Sequence, residues 1–145
     1  MNRTLLTAVA ALAAAASATI AAGCGSSGDS AEVPTGADMK GTWVQTATGY
    51  DNGEFESVKG DIKITAVVID RANGQAFAGY KRYTPAEGGA PQKEAMQGVI
   101  APNGTILITD EDGSYTGTLA NGVFTSQYAE SGDDSSALNV TWTKK

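Results

Sequence analysis

The 145-residue chain contains no histidine and a single cysteine, Cys24. Histidine is the commonest general base and, with cysteine, the commonest zinc ligand, so the chain cannot form a Ser-His or Cys-His nucleophile pair or a histidine-rich zinc site. A single cysteine also excludes an internal disulfide, and a domain of about 100 residues must then be stabilised by its hydrophobic core. We therefore expect a protein that is not an enzyme and that has no cofactor and no metal.

Basic residues are also few, since ten Lys and Arg stand against sixteen Asp and Glu, for a net charge of −6. They form no basic stripe along the chain, so nucleic-acid binding is not expected. An acidic surface favours solubility and is repelled by anionic lipid headgroups. A protein of this composition needs something other than its average surface charge to hold it at a membrane.

The first 23 residues have the pattern of a secretory signal. Asn2 and Arg3 give a short positive start, and the nineteen residues from Thr4 to Ala22 contain ten alanines and no charge. Small residues then precede Cys24, as signal cleavage requires. A retained transmembrane helix is the alternative, but it needs about 20 strongly apolar residues, and alanine is only weakly apolar.

The run Ala21-Ala22-Gly23-Cys24 resembles the lipobox of bacterial lipoproteins, in which a small residue precedes an obligatory cysteine. The resemblance implies that the Cys24 sulfur receives a diacylglyceryl group and that the chain is cut before Cys24. Lipid on Cys24 would then attach the protein to the extracytoplasmic face of a cell membrane. An ordinary secretory cut, the other alternative, would leave a free thiol exposed to oxidation.

The segment after Cys24 is polar. Residues 25–38 are rich in Gly and Ser and have no apolar periodicity, which is typical of a flexible linker. The predicted organisation is a signal peptide over 1–23, a lipidated cysteine and flexible tether over 24–39, and one β-barrel domain over 40–145.

From residue 40 onward, short segments rich in β-branched and aromatic residues alternate with turn signals, which is typical of strands. Asn-Gly pairs at 73–74 and 121–122 supply the left-handed residues that tight hairpin turns need. A polar stretch, 49–60, follows the first strand, and no helical period is found after Cys24. In the second strand one face is formed by Ile62, Ile64, Ala66 and Val68. The eight predicted strands are 41–48, 61–69, 75–84, 93–101, 105–110, 114–120, 123–130 and 137–143.

The short turns force neighbouring strands to be antiparallel. A meander of eight strands leaves two exposed edges unless it closes, and closure into a barrel removes both. A β-sandwich is the alternative, but its Greek-key connections are long. We therefore predict an all-β, eight-stranded antiparallel up-and-down barrel.

The motif Gly41-Thr42-Trp43 on the first strand resembles the calycin superfamily, and most closely avidin and streptavidin, whose first strand also begins Gly-Thr-Trp. Lipocalins use a similar Gly-x-Trp, and the segment 115–119 is also similar to avidins. The resemblance implies an eight-stranded barrel with the tryptophan packed across its closed end. The lipocalin pattern adds a basic residue of the last strand against that tryptophan, and Lys144 and Lys145 lie nearby. The biotin-contacting residues of avidins have no counterpart here, so biotin binding is not implied.

Strand alternation assigns these residues to the barrel interior: Trp43, Gln45, Phe77, Gly79, Tyr83, Met96, Gly98, Ile100, Ile106, Ile108, Tyr115, Gly117, Leu119, Phe124, Tyr128, Leu138, Val140 and Trp142. The glycines among them leave room for aromatic rings. Eight-stranded barrels are either filled by side chains or hold one small ligand. The large aromatic residues favour filling, whereas Gln45 and Tyr128 are polar groups able to orient a guest. The run Tyr80–Tyr83 is either a ligand rim beside the loop 85–92 or an ordinary solvent-facing strand. The candidate ligand-binding residues are Trp43, Gln45, Phe77, Tyr83, Tyr115, Tyr128 and Trp142.

Two acidic segments, at 110–113 and 133–136, are interpreted as solvated turns, because they lack the ligand spacing of a calcium loop. A hydrolase that uses paired carboxylates would need two inward acids about 5–10 Å apart, and the alternation assigns none. Three hypotheses follow. The first is a membrane-anchored, non-enzymatic barrel that binds a small hydrophobic or amphipathic ligand or a protein partner. The second is an envelope lipoprotein with a filled barrel that acts through its surface, and the third is a carboxylate hydrolase.

Overall fold

The computed structural model of the chain describes residues 32–59, 64–85, 88–133 and 135–145. Cys24 and the signal segment lie outside the described residues, so the signal peptide and the lipidation site stay predictions. Almost all of the regular structure in the described residues is β-strand. The elements are α1 Gly36–Met39, β1 Gly41–Asp51, β2 Glu54–Lys59, β3 Ile64–Asn73, β4 Ala76–Tyr83, β5 Gln92–Ile100, β6 Ile106–Thr109, β7 Gly113–Ala120, β8 Val123–Glu130 and β9 Ser136–Lys144.

Eight of these strands close into an antiparallel up-and-down barrel. Strands β3 to β9 pair in chain order. The first residues of β1, Gly41 to Trp43, pair with β3, and β1 pairs with β9 from Trp43 to Asp51. The contact between the first and last strands closes the sheet, which removes its free edges. The predicted eight-stranded barrel is confirmed, and the alternative sandwich is not the fold.

β2 is an additional strand within the stretch 49–60, which its composition predicts to be a polar connection. β1 continues to Asp51, and the chain turns at Asn52 and Gly53, whose φ angles are 50° and 80°. β2 then returns along β1 as an antiparallel partner. Because left-handed angles at both central residues are what Asn-Gly provides in a tight hairpin, this pair carries the same turn signal as the pair at 121–122. The acidic residues that flank this pair made the segment resemble a polar connection rather than a strand.

The bounds predicted for the second barrel strand, 61–69, are wrong at the end that the structure describes. β3 runs on to Asn73, and the turn lies at Gly74-Gln75, where Gly74 has a φ of 56°. Asn73 therefore stays in the strand, and a single left-handed glycine makes the turn.

The inward face of β3 also differs from the prediction. The pairing of β3 with β4 is irregular between Ile64 and Ala66, and an extra residue in a strand moves the following side chains to the opposite face. Val67 and Ile69 are consequently buried, while Ala66 and Val68 are only half-buried.

The last part of the predicted tether is folded onto the barrel. The Asp38 carboxylate accepts hydrogen bonds from the Thr35 backbone N–H (2.7 Å) and hydroxyl (2.8 Å), an arrangement that stabilises a helix start. Met39 is fully buried in the core, and Val33 packs against the same core. The folded domain therefore begins at least as early as Val33, because these two apolar side chains are buried within it.

The two ends of the barrel differ. At one, here named the closed end, α1 covers the interior: the Gly36 N–H donates to the Gly74 carbonyl and the Trp43 indole Nε1 donates to the Met39 carbonyl, both at 2.9 Å. The other, here named the open end, is formed by the β1–β2 turn, the start of β5, and the segments 110–113 and 131–133. The aromatic core fills the barrel between the two ends.

Burial follows the predicted alternation in the other barrel strands. The predicted inward side chains that are buried are Trp43, Gln45, Phe77, Met96, Ile100, Ile106, Ile108, Tyr115, Phe124, Tyr128, Val140 and Trp142.

One inward glycine gives a test of this packing. Gly98 lies directly opposite Phe77, and a Cβ at Gly98 would overlap the Phe77 ring. We expect Gly98→Ala to lower the free energy of unfolding by about 1–3 kcal/mol, as overpacking of a filled core does, measured by urea denaturation. Phe77→Leu in the same chain should recover part of the loss by removing the end of the ring. A Gly98→Ala protein as stable as the wild type would contradict the packing.

Candidate functional site

Four of the aromatic candidates, together with Phe124, form one continuous stack inside the barrel. Ring centroids are 6.5 Å apart for Trp43 and Trp142, 4.8 Å for Trp142 and Phe124, 5.3 Å for Trp142 and Tyr115, and 4.6 Å for Tyr115 and Tyr128. Gln45 joins the stack, because its Oε1 accepts a hydrogen bond from the Trp142 indole at 2.8 Å. These side chains pack against one another, so their contact surfaces are occupied by protein.

Two of the predicted candidates lie elsewhere. Phe77 packs on the opposite wall, under Gly98. Tyr83 is only half-buried at the open end, where its hydroxyl donates to Gln92 Oε1 at 3.0 Å. The seven predicted residues therefore do not surround a single site. Five of them form the stack, one belongs to another part of the core, and one lies at the rim.

Beside the stack, near the open end, three charged side chains form a buried cluster that the sequence interpretation missed. The Lys81 ammonium lies 3.0 Å from Glu94 Oε2, 2.9 Å from Asp110 Oδ2 and 3.8 Å from Asp112 Oδ2. Lys81 and Glu94 are 7% and 8% exposed, and the Asp110 side chain is fully buried. Asp112 is half exposed, so the buried cluster consists of Lys81, Glu94 and Asp110.

This cluster corrects two predictions. Within Tyr80–Tyr83, Lys81 points into the barrel rather than to solvent, and Asp110 is buried rather than part of a solvated turn. Two inward carboxylates therefore exist, contrary to the prediction of none. Strand alternation carried the signal, because Lys81 follows Phe77 and Gly79 at intervals of two and Glu94 precedes Met96. The general preference of charged side chains for the surface predicts the opposite orientation.

The cluster also joins strands that the sheet leaves apart. β5 pairs with β6 only from Gln97 onward, so the first half of β5 lacks that neighbour. Glu94 Oε1 accepts a hydrogen bond from the Glu111 N–H at 3.0 Å, and Asp110 Oδ1 accepts one from the Gly113 N–H at 2.8 Å. The three charged side chains therefore fix the turn 110–113 against β4 and β5 at the open end.

In this region the pKa values of Lys81, Tyr115 and Tyr128 are raised. Burial opposes the charge on Lys81, but hydrogen bonds and charge from Asp110 and Glu94 outweigh it and raise the pKa of Lys81. Burial, and then the charge of Asp110, raises the pKa of Tyr115 and of Tyr128. The Tyr128 hydroxyl donates to Glu130 Oε2 at 3.2 Å. At neutral pH the Lys81 ammonium is therefore charged and both phenols are neutral.

No family model matches the chain, and no curated protein is significantly similar to it in sequence. Its function is therefore inferred from the residues of this chain alone.

A second feature of the open end is a pair of exposed aromatic side chains on the β1–β2 hairpin. Tyr50 and Phe55 are directly opposite each other, with ring centroids 5.5 Å apart in an edge-to-face arrangement. They are 60% and 65% exposed, the largest values among the large hydrophobic side chains that the structure describes. The hairpin that carries them was predicted to be a polar connection, so the sequence interpretation did not find this pair.

The outer wall of the barrel carries a shallow apolar groove of about 290 Å³ over β4 to β6, where Val99 and Leu107 are exposed. In the described ranges, no group of three or more acidic, histidine or cysteine side chains is placed to hold a metal ion. The same ranges contain no helix with the length and apolar character needed to cross a membrane.

The raised pKa values predict instability at alkaline pH. Because the folded state holds the protons of Lys81, Tyr115 and Tyr128 more tightly than the unfolded state, stability is complete below the ordinary values of 10.5 and 10.0 and falls as the pH rises above them. We expect the urea midpoint to drop steeply above pH 10. The Tyr115→Phe, Tyr128→Phe protein should show a shallower drop, and equal slopes would contradict the prediction.

Proposed function

We propose that the chain is an extracytoplasmic lipoprotein whose small, non-enzymatic β-barrel binds a protein partner through its open end. The observation that carries the proposal is the position of the exposed pair Tyr50 and Phe55 on an acidic hairpin, beside a barrel interior that is already filled.

The anchor is supported by the sequence Ala21-Ala22-Gly23-Cys24, which resembles a lipobox. Cys24 is the only cysteine of the chain, and acylation would remove a thiol that is otherwise open to oxidation. Two acyl chains suffice for stable attachment, because each buried methylene contributes about 0.8 kcal/mol.

Membership of the calycin superfamily is part of the proposal. Trp43, in the Gly-x-Trp motif, packs across the closed end of an eight-stranded barrel. The Lys144 ammonium, on the last strand, lies 5.0 Å from the centroid of the Trp43 ring, within the range of a cation–π contact. This is the place where the lipocalin pattern has its basic residue, so the geometry supports the resemblance that three residues of sequence first suggested.

The filled interior favours action through the surface over storage of a small ligand. Trp43, Trp142, Tyr115 and Phe124 are at most 2% exposed and contact one another. A guest between them would require the core to repack, which costs stability because protein interiors are close-packed. An eight-stranded barrel with this content belongs to the filled class.

The chemistry of the hairpin indicates what kind of partner it fits. Exposed aromatic side chains are enriched at the centres of protein interfaces. Acidic residues flank the pair, with Asp51 beside Tyr50 and Glu54 beside Phe55, and negative charge attracts a positively charged partner. We therefore propose a protein partner with basic side chains around an apolar contact.

Photo-crosslinking in the producing cell tests this proposal. We expect benzoylphenylalanine at position 55 to give one adduct of discrete mass. The same group in place of Leu107, which is 43% exposed on the barrel wall, should not give that adduct. Tyr50→Ala should weaken the adduct without unfolding the barrel, because removal of an exposed cross-strand pair costs only about 0.2–1 kcal/mol.

Two results would contradict the proposal. The first is the absence of an adduct at position 55, or an identical adduct at both positions. The second is a small molecule retained by the barrel in native mass spectrometry, which would favour the ligand-binding hypothesis instead.

A further inference from the structure

Charge is distributed unequally between the two ends of the barrel. Among the side chains that the structure describes at the open end, eight are acidic and three are basic: Asp51, Glu54, Glu94, Asp110, Glu111, Asp112, Glu130 and Asp133 against Lys81, Arg82 and Lys93. At the closed end the balance is reversed, with four basic and three acidic side chains: Lys40, Arg71, Lys144 and Lys145 against Glu32, Asp38 and Asp70. The described side chains of the closed end therefore sum to a charge of +1, and those of the open end to −5.

The basic side chains of the closed end are neighbours. Lys40 precedes β1, Lys144 is the last residue of β9, and the N–H of the following Lys145 donates to the Thr42 carbonyl at 2.9 Å. Arg71 belongs to β3, the strand on the other side of β1. All four are exposed. These four residues, which lie on or next to three adjacent strands, are here named the basic face.

The acids among them are partly engaged. The Asp38 carboxylate accepts two hydrogen bonds from Thr35, and Asp70 contacts Arg71 at 3.4 Å. Lys40 and Lys145 can face a surface beyond the protein, since neither forms an ion pair with a carboxylate of the described residues.

The position of the first folded residues constrains the distance to Cys24. Val33 and Pro34 lie at the closed end, with Val33 packed on the core and Pro34 near Gly104. Seven residues, 25–31, separate Cys24 from Glu32. The eight steps from Cys24 to Glu32 span at most about 28 Å when fully extended, and about 15 Å on average for the flexible tether that the composition predicts.

The barrel is about as tall as the longest possible span of that connection. The eleven residues of β1, tilted as barrel strands are, rise about 25 Å along the axis. If the open end faced the membrane, the connection would have to run the full height of the barrel at complete extension. An average connection therefore cannot reach a membrane that lies beyond the open end.

We infer that the closed end is a membrane-facing surface, held against anionic phospholipid headgroups by Lys40, Arg71, Lys144 and Lys145, with the open end directed away from the bilayer. The inference rests on the proposed lipid at Cys24. It accounts for the unequal distribution of charge between the two ends. The anionic bilayer attracts the basic residues of the closed end, and the acidic open end is far enough from the bilayer that most of the repulsion is screened. It also leaves Tyr50 and Phe55 accessible to a soluble partner.

The test uses the lipidated protein in vesicles of phosphatidylcholine with a minority of phosphatidylglycerol and a headgroup-nitroxide lipid. A bimane label is attached to Ala120→Cys at the closed end or to Ser131→Cys at the open end, both exposed positions. Acyl mass on Cys24 is verified first, so a failure of the anchor is recognised before orientation is measured. We expect quenching to be stronger at position 120 by roughly twofold or more, because the two positions differ in height by about 25 Å.

A charge-reversed pair tests the basic face. Lys40→Glu with Lys145→Glu should reduce the quenching difference between the two label positions, whereas Lys93→Glu, at the exposed open-end position, should not. Pure phosphatidylcholine vesicles should reduce the difference in the same way. Equal quenching at the two positions of an acylated protein, stronger quenching at position 131, or a difference unaffected by the double charge reversal would overturn the inference.

Discussion

Replacing Cys24 with alanine is expected to move the protein from the membrane fraction of the producing cell to the soluble fraction. The substitution removes the only thiol, and with it the sole site for a thioether-linked diacylglyceryl group. It also places a third small residue directly after Ala22 and Gly23, a pattern that an ordinary signal peptidase cuts. An uncut signal segment therefore does not replace the lipid as an anchor. Loss of two acyl chains, at about 0.8 kcal/mol per methylene, should make the change nearly complete.

Intact mass spectrometry of both proteins provides the control. The wild type should begin at residue 24 and carry acyl mass, and the Cys24→Ala protein should carry none. A matched Ser26→Ala protein, changed just beyond the cysteine, should stay in the membrane fraction. The anchor proposal would be wrong if the wild type carried no acyl mass, or if cleaved Cys24→Ala protein still partitioned with membranes.

The second large effect concerns the buried cluster. Lys81→Met should lower the free energy of unfolding by about 3–5 kcal/mol, because it leaves Glu94 and Asp110 buried without their cation. This loss is a large fraction of the roughly 5–15 kcal/mol typical of small domains. Urea denaturation followed by tryptophan fluorescence measures it, since Trp43 and Trp142 lie in the core.

Two comparison proteins separate the charge from the packing. Lys93→Met removes an exposed lysine from the same hairpin, whose ammonium lies 4.5 Å from the centroid of the Tyr80 ring, and should change stability by no more than about 1 kcal/mol. In the triple protein Lys81→Met, Glu94→Gln, Asp110→Asn, no buried charge is left unpaired, so most of the loss should be recovered. A triple protein as unstable as Lys81→Met would show that the cluster acts through shape rather than charge.

The barrel could be predicted from the sequence because its physical causes are local. Short segments of β-branched and aromatic residues, separated by turn residues, restrict neighbouring strands to antiparallel hairpins, and a closed meander leaves no edge. The side-chain period of two then assigned Trp43, Tyr115 and Trp142 to the interior, where they are buried. The strand β2 was missed although Asn52-Gly53 carried a hairpin signal, because its flanking residues are acidic.

The site could be predicted only in part. The seven candidate ligand residues share a predicted orientation toward the barrel interior, but this orientation does not determine whether their side chains line a cavity or fill it. Their ring contacts fill it. The cluster around Lys81 depends on Glu94 on the next strand and on Asp110, which is 29 positions away in the chain. A charged side chain is buried only when oppositely charged or hydrogen-bonding groups pair with it. Here those groups come from other strands, and composition does not show which residues will meet.

The sequence by itself determined the fold class, the interior periodicity and the candidate lipid attachment at Cys24, because these depend on the order of residues along a short stretch of chain. Tertiary structure decided which charges are buried together, which aromatic side chains stay outside, and where the basic residues gather. Those features depend on strand register and on closure between β1 and β9, which bring distant residues together at one end of the barrel. A sequence pattern does not specify the distances between residues that are far apart in the chain.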